Sequence, residues 1–314
     1  MAERLAIGVG PSTIDMAYET FGDPAWPPVL LIMGGGAQLI NWPEPFCHEL
    51  VERGLYVIRF DNRDVGRSTY MTDAPKPDIG AAMGGDLSAV SYNLSDMAAD
   101  AVGLLDALGI GSAHLVGASM GGMIAQTIAI EYPGRVRSLT SMMSTTGDPE
   151  VGQTDPKAFG EPGGLPSNRD EYIAWRLKSA VALRSPGYEF DEAAAIENAG
   201  LSYDRGFDFD AMMRHMLAVL GSGDRTAQLR EVRVPTLVMH GTDDPAFDVS
   251  GGRATAAAVP GAKLVIFEGM AHSLPRELWP AYAGNIADLV SRVDGEPATR
   301  SGMRGYPLTR KRDA

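Results

Sequence analysis

His114-Leu115-Val116-Gly117-Ala118-Ser119-Met120-Gly121-Gly122-Met123 decides how this chain is read. Residues 114–116 are a short apolar run that suits a buried strand. The run breaks into Gly-x-Ser-x-Gly at 117–121, and 123–132 follows a helical pattern that ends at Pro133-Gly134. A strand that turns this sharply into a helix leaves the central serine in a strained backbone position. Side chains two residues to either side would clash, so both glycines have a reason. Ser119 also opens a helix, where backbone N–H groups and the dipole favour developing negative charge.

The same alternation extends outward. Residues 14–21 alternate apolar and polar and stop at Gly22-Asp23-Pro24; 29–33 is a continuous apolar run stopped by Gly34-Gly35-Gly36. Residues 46–52 read as a helix, 55–60 as a strand, and 61–68 as a polar loop. Residues 96–108 set Ala98, Val102, Leu105 and Leu108 on one helical face. Asp61, Asp64 and Asp100 fit turn or helix-end roles. Strands follow at 136–143, 234–239 and 263–267, and a helix at 278–293. Strands separated by helices predict an α/β fold, a mostly parallel sheet flanked by helices. The interval 148–228 begins rich in Gly and Pro and continues as helical patterns without strands. It is expected to be a helical lid inserted in a core formed by 1–147 and 229–295. Residues 296–314 carry Arg300, Arg304, Arg310, Lys311 and Arg312 with little apolar content, the pattern of a basic solvated tail.

Composition narrows the class. Of 314 residues, 40 are acidic and 27 basic, a net charge of −13. That balance argues against a nucleic-acid partner, whose binding rests on neutralising phosphates. The single cysteine, Cys47, excludes an internal disulfide and a Cys-built zinc site. No run of about 20 apolar residues is present to span a bilayer. The first ten residues lack the apolar core of a secretory signal, so a cytoplasmic protein is expected.

A serine is a weak nucleophile without a base. His272, in Glu268-Gly269-Met270-Ala271-His272-Ser273-Leu274-Pro275, follows the last strand, where ligands meet parallel sheets. His48, His114 and His215 are read as packing or surface residues, and His240 as a hydrogen-bonding residue leading into an acidic loop. That loop, Gly241-Thr242-Asp243-Asp244-Pro245, offers two acids to orient the base, and pattern does not choose between them. An oxyanion hole would combine the Met120 N–H with one from Met33-Gly34-Gly35-Gly36. The glycines do not form a phosphate loop, because no Gly-Lys-Ser/Thr signature follows. No metal or organic cofactor is needed.

With these parts together, the chain resembles the α/β-hydrolase superfamily, whose chain order is Ser, Asp, His. Within it, Met33-Gly34-Gly35, Asn41-Trp42-Pro43, Ile58-Arg59-Phe60-Asp61, Arg63-Asp64, Gly66-Arg67-Ser68 and the Gly269–Pro275 stretch resemble the aclacinomycin methylesterase group of serine esterases. The resemblance implies Asp244 as the acid, since it precedes proline, and Gly35 with Met120 as the oxyanion hole. One departure is Met33-Gly34 where many relatives carry His-Gly. The implied activity is cleavage of a carboxylic ester through an acyl-enzyme. Lactonase, thioesterase, carbon–carbon bond hydrolase and cofactor-free peroxidase share the same triad, and a hydrolase-like binding protein can retain it without turnover. Phe159, Trp175, Leu177, Met212, Met213, Met216 and Leu217 supply apolar surface in the insertion. Trp175, Met213 and Met216 are the substrate-binding candidates for a largely apolar small-molecule ester.

Overall fold

The structure is a computed structural model and describes residues 2–156, 158 and 165–295. The expected tail at 296–314 and Phe159 lie outside the described residues. Eight strands form one sheet: β1 (Arg4–Val9), β2 (Ile14–Phe21), β3 (Pro28–Ile32), β4 (Tyr56–Phe60), β5 (Ala113–Ala118), β6 (Val136–Met142), β7 (Thr236–Gly241) and β8 (Lys263–Phe267). Their order is β1-β2-β4-β3-β5-β6-β7-β8. The β1–β2 and β2–β4 pairs are antiparallel and every other pair is parallel. The described helices of four or more residues are α1 (Glu44–Val51), α2 (Ile79–Met83), α3 (Leu94–Ala107), α4 (Met120–Glu131), α5 (Arg169–Ala182), α6 (Glu192–Arg205), α7 (Phe209–Ser222), α8 (Thr226–Leu229), α9 (Val249–Ala258) and α10 (Trp279–Asp294).

The expected mostly parallel sheet is present, with β1 added at its edge. β1 has no counterpart among the sequence patterns, because that strand is largely exposed and has no buried run. β3 and β5 are buried at every position, as their unbroken apolar runs require. One core, with Leu30, Leu115, Ile124 and Leu105, lies under α3 and α4. A second, with Leu31, Val116, Phe46 and Tyr282, lies under α1 and α10. Between β6 and β7 the described residues form α5 to α8 and no strand.

Register brings the carboxyl ends of the central strands into line. Ile32 pairs with Gly117, Ala118 with Met142, Met142 with Met239, and Gly241 with Phe267. The loops after β3, β5, β7 and β8 therefore leave the sheet along one edge, and Gly35, Ser119, Asp244 and His272 lie on those four loops.

The loop after β4 departs from expectation. Asp61 and Asp64 lie in this loop and accept its backbone N–H groups, and Asp100 lies inside α3 rather than at its end; all three are buried and ion-paired. Arg63 clasps Asp100 through Nε at 2.6 Å and Nη2 at 2.7 Å, with its guanidinium over Tyr92. Arg214 of α7 donates to Asp64 at 2.8 and 2.9 Å, and the Tyr92 hydroxyl adds a third bond at 2.8 Å. Arg205 of α6 pairs with Asp61 and Glu3. The arginine partners of these carboxylates lie about 40 to 150 residues away in the chain, so the local pattern carries no sign of the pairing.

Cys47 sits on α1 at 0 % exposure. Burial pushes its thiol up to about 12. Thiolate is the reactive form, so iodoacetamide at pH 8 should leave native Cys47 unmodified while a urea-unfolded control alkylates fully. Comparable labelling of native and unfolded protein, followed by mass spectrometry, would contradict this burial.

Candidate active site

Ser119 follows β5 and caps α4 with φ 58° and ψ −126°, a conformation rare for a residue with a side chain. Two contacts permit it. A Cβ on Gly117 would overlap the Gly121 carbonyl, and one on Gly121 would overlap the Ile32 carbonyl. The turn is therefore compressed both on itself and on the neighbouring strand. Ser119 N–H donates to Met142 O at 2.9 Å, which ties the strained residue to β6.

The Ser119 hydroxyl lies 3.0 Å from His272 Nε2. His272 Nδ1 lies 2.8 Å from Asp244 Oδ2 and 3.1 Å from Oδ1. The carboxylate is acceptor-only, so Nδ1 carries the proton and Nε2 faces the serine as the acceptor. Asp244 Oδ1 also accepts from the N–H groups of Ala246 at 2.9 Å and Phe247 at 3.0 Å. Burial alone would raise this carboxyl. The charge of His272, hydrogen bonds from His240 and His272, and the Phe247 N–H outweigh it and hold Asp244 well below the usual carboxylate range.

The neighbouring acid behaves differently. Asp243 is exposed and accepts from the Thr242 hydroxyl at 2.7 Å. His240 is fully buried; its Nε2–H donates to Phe247 O at 2.8 Å and lies 3.5 Å from Asp244. The Phe247 ring meets His272 edge-on at 5.7 Å. These two side chains brace the acid and the base, and neither carries a sequence motif.

Gly35 is exposed beside this group, and a Cβ there would lie 3.8 Å from Met120 Sδ. Met120 is the first residue of α4, so its N–H has no intrahelical acceptor. Among the described residues no protein group accepts from the N–H of Gly35 or of Met120. Two unspent donors and a hydroxyl–imidazole–carboxylate chain thus share one edge of the sheet.

The segment between β6 and β7 reaches these loops at several points. Ser185 Oγ accepts from Ala271 N–H at 2.9 Å and contacts Ser273 Oγ at 2.7 Å, beside His272. Gly187 N–H donates to Gly269 O at 3.0 Å. Gln38 Nε2 donates to Ser202 O and Gly206 O. Of the expected substrate-binding residues, Trp175 packs against Tyr172 and Phe207, Met213 is half-buried, and Met216 is exposed at 38 %. Met212, left off that shortlist, seats on Gly36. His215, read as packing or surface, is fully buried and bonds the backbone of the loop after β3.

The α/β-hydrolase fold model matches residues 27–179. A rhodomycin D methylesterase from Streptomyces peucetius is 32 % identical over 279 residues, covering 82 % of this chain and 88 % of the relative. A second rhodomycin D methylesterase, from Streptomyces sp. strain C5, is 31 % identical with the same coverage of both chains. Among solved structures, an esterase from Rhodococcus sp. ECU1013 superposes with a TM-score of 0.70 at 22 % identity, over 95 % of this chain and 100 % of that one.

The turn at Ser119 is testable by packing alone. Gly121→Ala drives a methyl into the Ile32 carbonyl, whereas Gly134 has open space where its Cβ would be. Gly121→Ala should lose about 3 kcal/mol or more, at the upper end of overpacking costs. Gly134→Ala should stay within about 1 kcal/mol of the wild type. Equal urea midpoints for the two variants would refute the close approach.

Proposed function

The chain belongs to the α/β-hydrolase family, and from that premise we propose that it is a serine hydrolase of carboxylic esters, with Ser119, His272 and Asp244 as its triad. The observation that carries the reading is the continuous contact from the Ser119 hydroxyl through both ring nitrogens of His272 to the buried Asp244.

Ser119 Oγ attacks the ester carbonyl while His272 Nε2 takes its proton. Negative charge gathers on the carbonyl oxygen, and the N–H groups of Gly35 and Met120 bind it. The tetrahedral adduct collapses, the bond to the alcohol oxygen breaks, and His272 returns the proton to the departing alcohol. Water then attacks the acyl-serine and gives a proton to His272; the second adduct collapses, the bond to Ser119 Oγ breaks, and His272 returns the proton to that oxygen as the acid is released. Asp244 stays ionised throughout, holding the imidazole tautomer and balancing its transient charge. No step calls on a metal or an organic cofactor.

The segment 148–228 acts as a helical cap over the sheet edge. Its contacts with the His272 loop and the loop after β3 support that role. The preferred substrate is a small-alcohol ester, such as a methyl ester, of a largely apolar acid. The methylesterase activity named for the two Streptomyces relatives supports the alcohol. The half-buried Trp175 and Met213 and the exposed Met216 of the cap support the apolar acid.

Ser119→Ala should lower kcat by roughly 10⁴- to 10⁶-fold on p-nitrophenyl esters and abolish fluorophosphonate labelling. Retention of a tenth of wild-type turnover would remove Ser119 as nucleophile. Asp244→Asn should lower kcat by roughly 10⁴-fold, because the amide favours the wrong histidine tautomer. Asp243→Asn should remain within about threefold, since its carboxylate faces solvent. The reverse ranking in steady-state assays would reassign the acid. A panel of esters, lactones and thioesters tests the bond type, and turnover confined to lactones would move the reading to a lactonase.

A further inference from the structure

We propose that His215, supplied by α7 of the inserted segment, is a positioning residue that aims the Gly35 N–H at the developing oxyanion. The inference rests on the serine-esterase reading and assigns the cap a part in the chemistry.

The loop after β3 is held at both ends, with Gly35 exposed between the two attachments. On one side the Met33 carbonyl accepts from Asn62 Nδ2 at 3.1 Å. On the other, Gly36 N–H donates to His215 Nδ1 at 3.0 Å. Ala37 N–H closes the turn onto Gly34 O at 3.3 Å. Gly34 itself is pressed on the nucleophile; a Cβ there would lie 2.9 Å from Ser119 Cβ. Gly36 has φ +65°, and a Cβ there would run into Met212 of α7. The loop therefore lies between Ser119 on one face and α7 on the other.

The chemistry of the two bonds fixes the state of the ring. A backbone N–H can only donate, so Nδ1 must be bare. His215 Nε2 lies 2.7 Å from the Arg63 carbonyl, which can only accept, so Nε2 must carry the proton. The imidazole is thus neutral and a single tautomer, and it spans the loops after β3 and β4. Burial favours that neutral form and lowers the ring's basicity. Tyr92 meets the ring edge-on at 6.3 Å, and Arg214, adjacent on α7, is bound to Asp64. The ring cannot turn without breaking a bond at one of its nitrogens.

An oxyanion donor displaced from the transition-state oxygen loses most of its effect; removing one donor costs on the order of 10²–10³ in kcat. Substrate binding gains little from that bond before charge develops. Loss of the His215 contact should therefore lower kcat and leave KM nearly constant. Two isosteres separate the ring's ends. His215→Asn places an amide oxygen near the Nδ1 position and keeps the acceptor for Gly36. His215→Gln keeps the donor to the Arg63 carbonyl and loses that acceptor.

The experiment measures kcat and KM on a p-nitrophenyl ester, the rate of fluorophosphonate labelling, the Tm, and hydrogen exchange at residues 34–37, for wild type and both variants. The expected result is a drop of about 10- to 100-fold in kcat and labelling rate for His215→Gln, with KM within about threefold and faster exchange at Gly36. His215→Asn should keep kcat within about fivefold and keep Gly36 protected, even if its Tm falls as far. Equal kcat losses in the two variants, or losses that follow Tm alone, would overturn the inference while leaving the esterase reading intact. A wild type that neither takes the label at Ser119 nor turns over esters would overturn both.

Discussion

The structure turns on one backbone constraint, the passage of β5 into α4 at Ser119. A residue with a side chain is held at positive φ there, and strain of this kind costs about 1–3 kcal/mol. The surroundings impose it. Gly117 and Gly121 touch each other's backbone, Gly121 touches the carbonyl of Ile32, and Gly34 lies against Ser119 itself. Because β3 and β5 are adjacent and in parallel register, the same contact that presents the hydroxyl also fixes where the loop after β3 begins. The proposed nucleophile and the proposed oxyanion donors are therefore set by a single packing decision.

Around that turn, the loops are fixed by buried polar groups. Asp244 accepts from two backbone N–H groups and from His272, which leaves its carboxylate little freedom to rotate. Asp64 accepts a two-pronged Arg214 together with Tyr92 and the Met71 N–H. Both of these buried carboxylates are matched by donors, and a buried pair that loses one partner typically costs about 3–5 kcal/mol. The ion pairs of Asp61 and Asp64 join the loop after β4 to α6 and α7. The inserted helices are thus bonded to the core through charge, a tie that apolar packing alone does not provide.

What could be read from sequence follows from the range of each interaction. The Gly-x-Ser-x-Gly turn, the buried strands and the loop histidine are local signals, written within about ten residues, and each appears where the pattern puts it. The choice between Asp243 and Asp244 is not local. It depends on which carboxyl the His272 loop meets, and only a resemblance or a structure carries that. β1 was missed because an exposed edge strand has no buried run to announce it. Nothing local marks His215, because its partners, Gly36 N–H and Arg63 O, are backbone groups about 150 or more residues away. A histidine that bonds backbone leaves no pattern of side chains to recognise. The same holds for the aspartates of the β4 loop, which look like turn formers until their arginines arrive.

The unequal attachment of the inserted helices has a consequence for how such an enzyme diversifies. α7 bonds the core through Arg214 and His215, whereas α5 packs on its own neighbours, Tyr172 on Tyr203 and Phe207, and Arg169 on Asp204. The two helices therefore face different evolutionary limits. α5 carries its contacts on neighbouring helices, so substitutions along it leave the loops of the sheet edge in place. α7 changes only in concert with loops far away in the chain. Helices transplanted from a relative between β6 and β7 would need the core partners of α7, the carboxylate of Asp64 and the backbone of Gly36 and Arg63, transplanted with them.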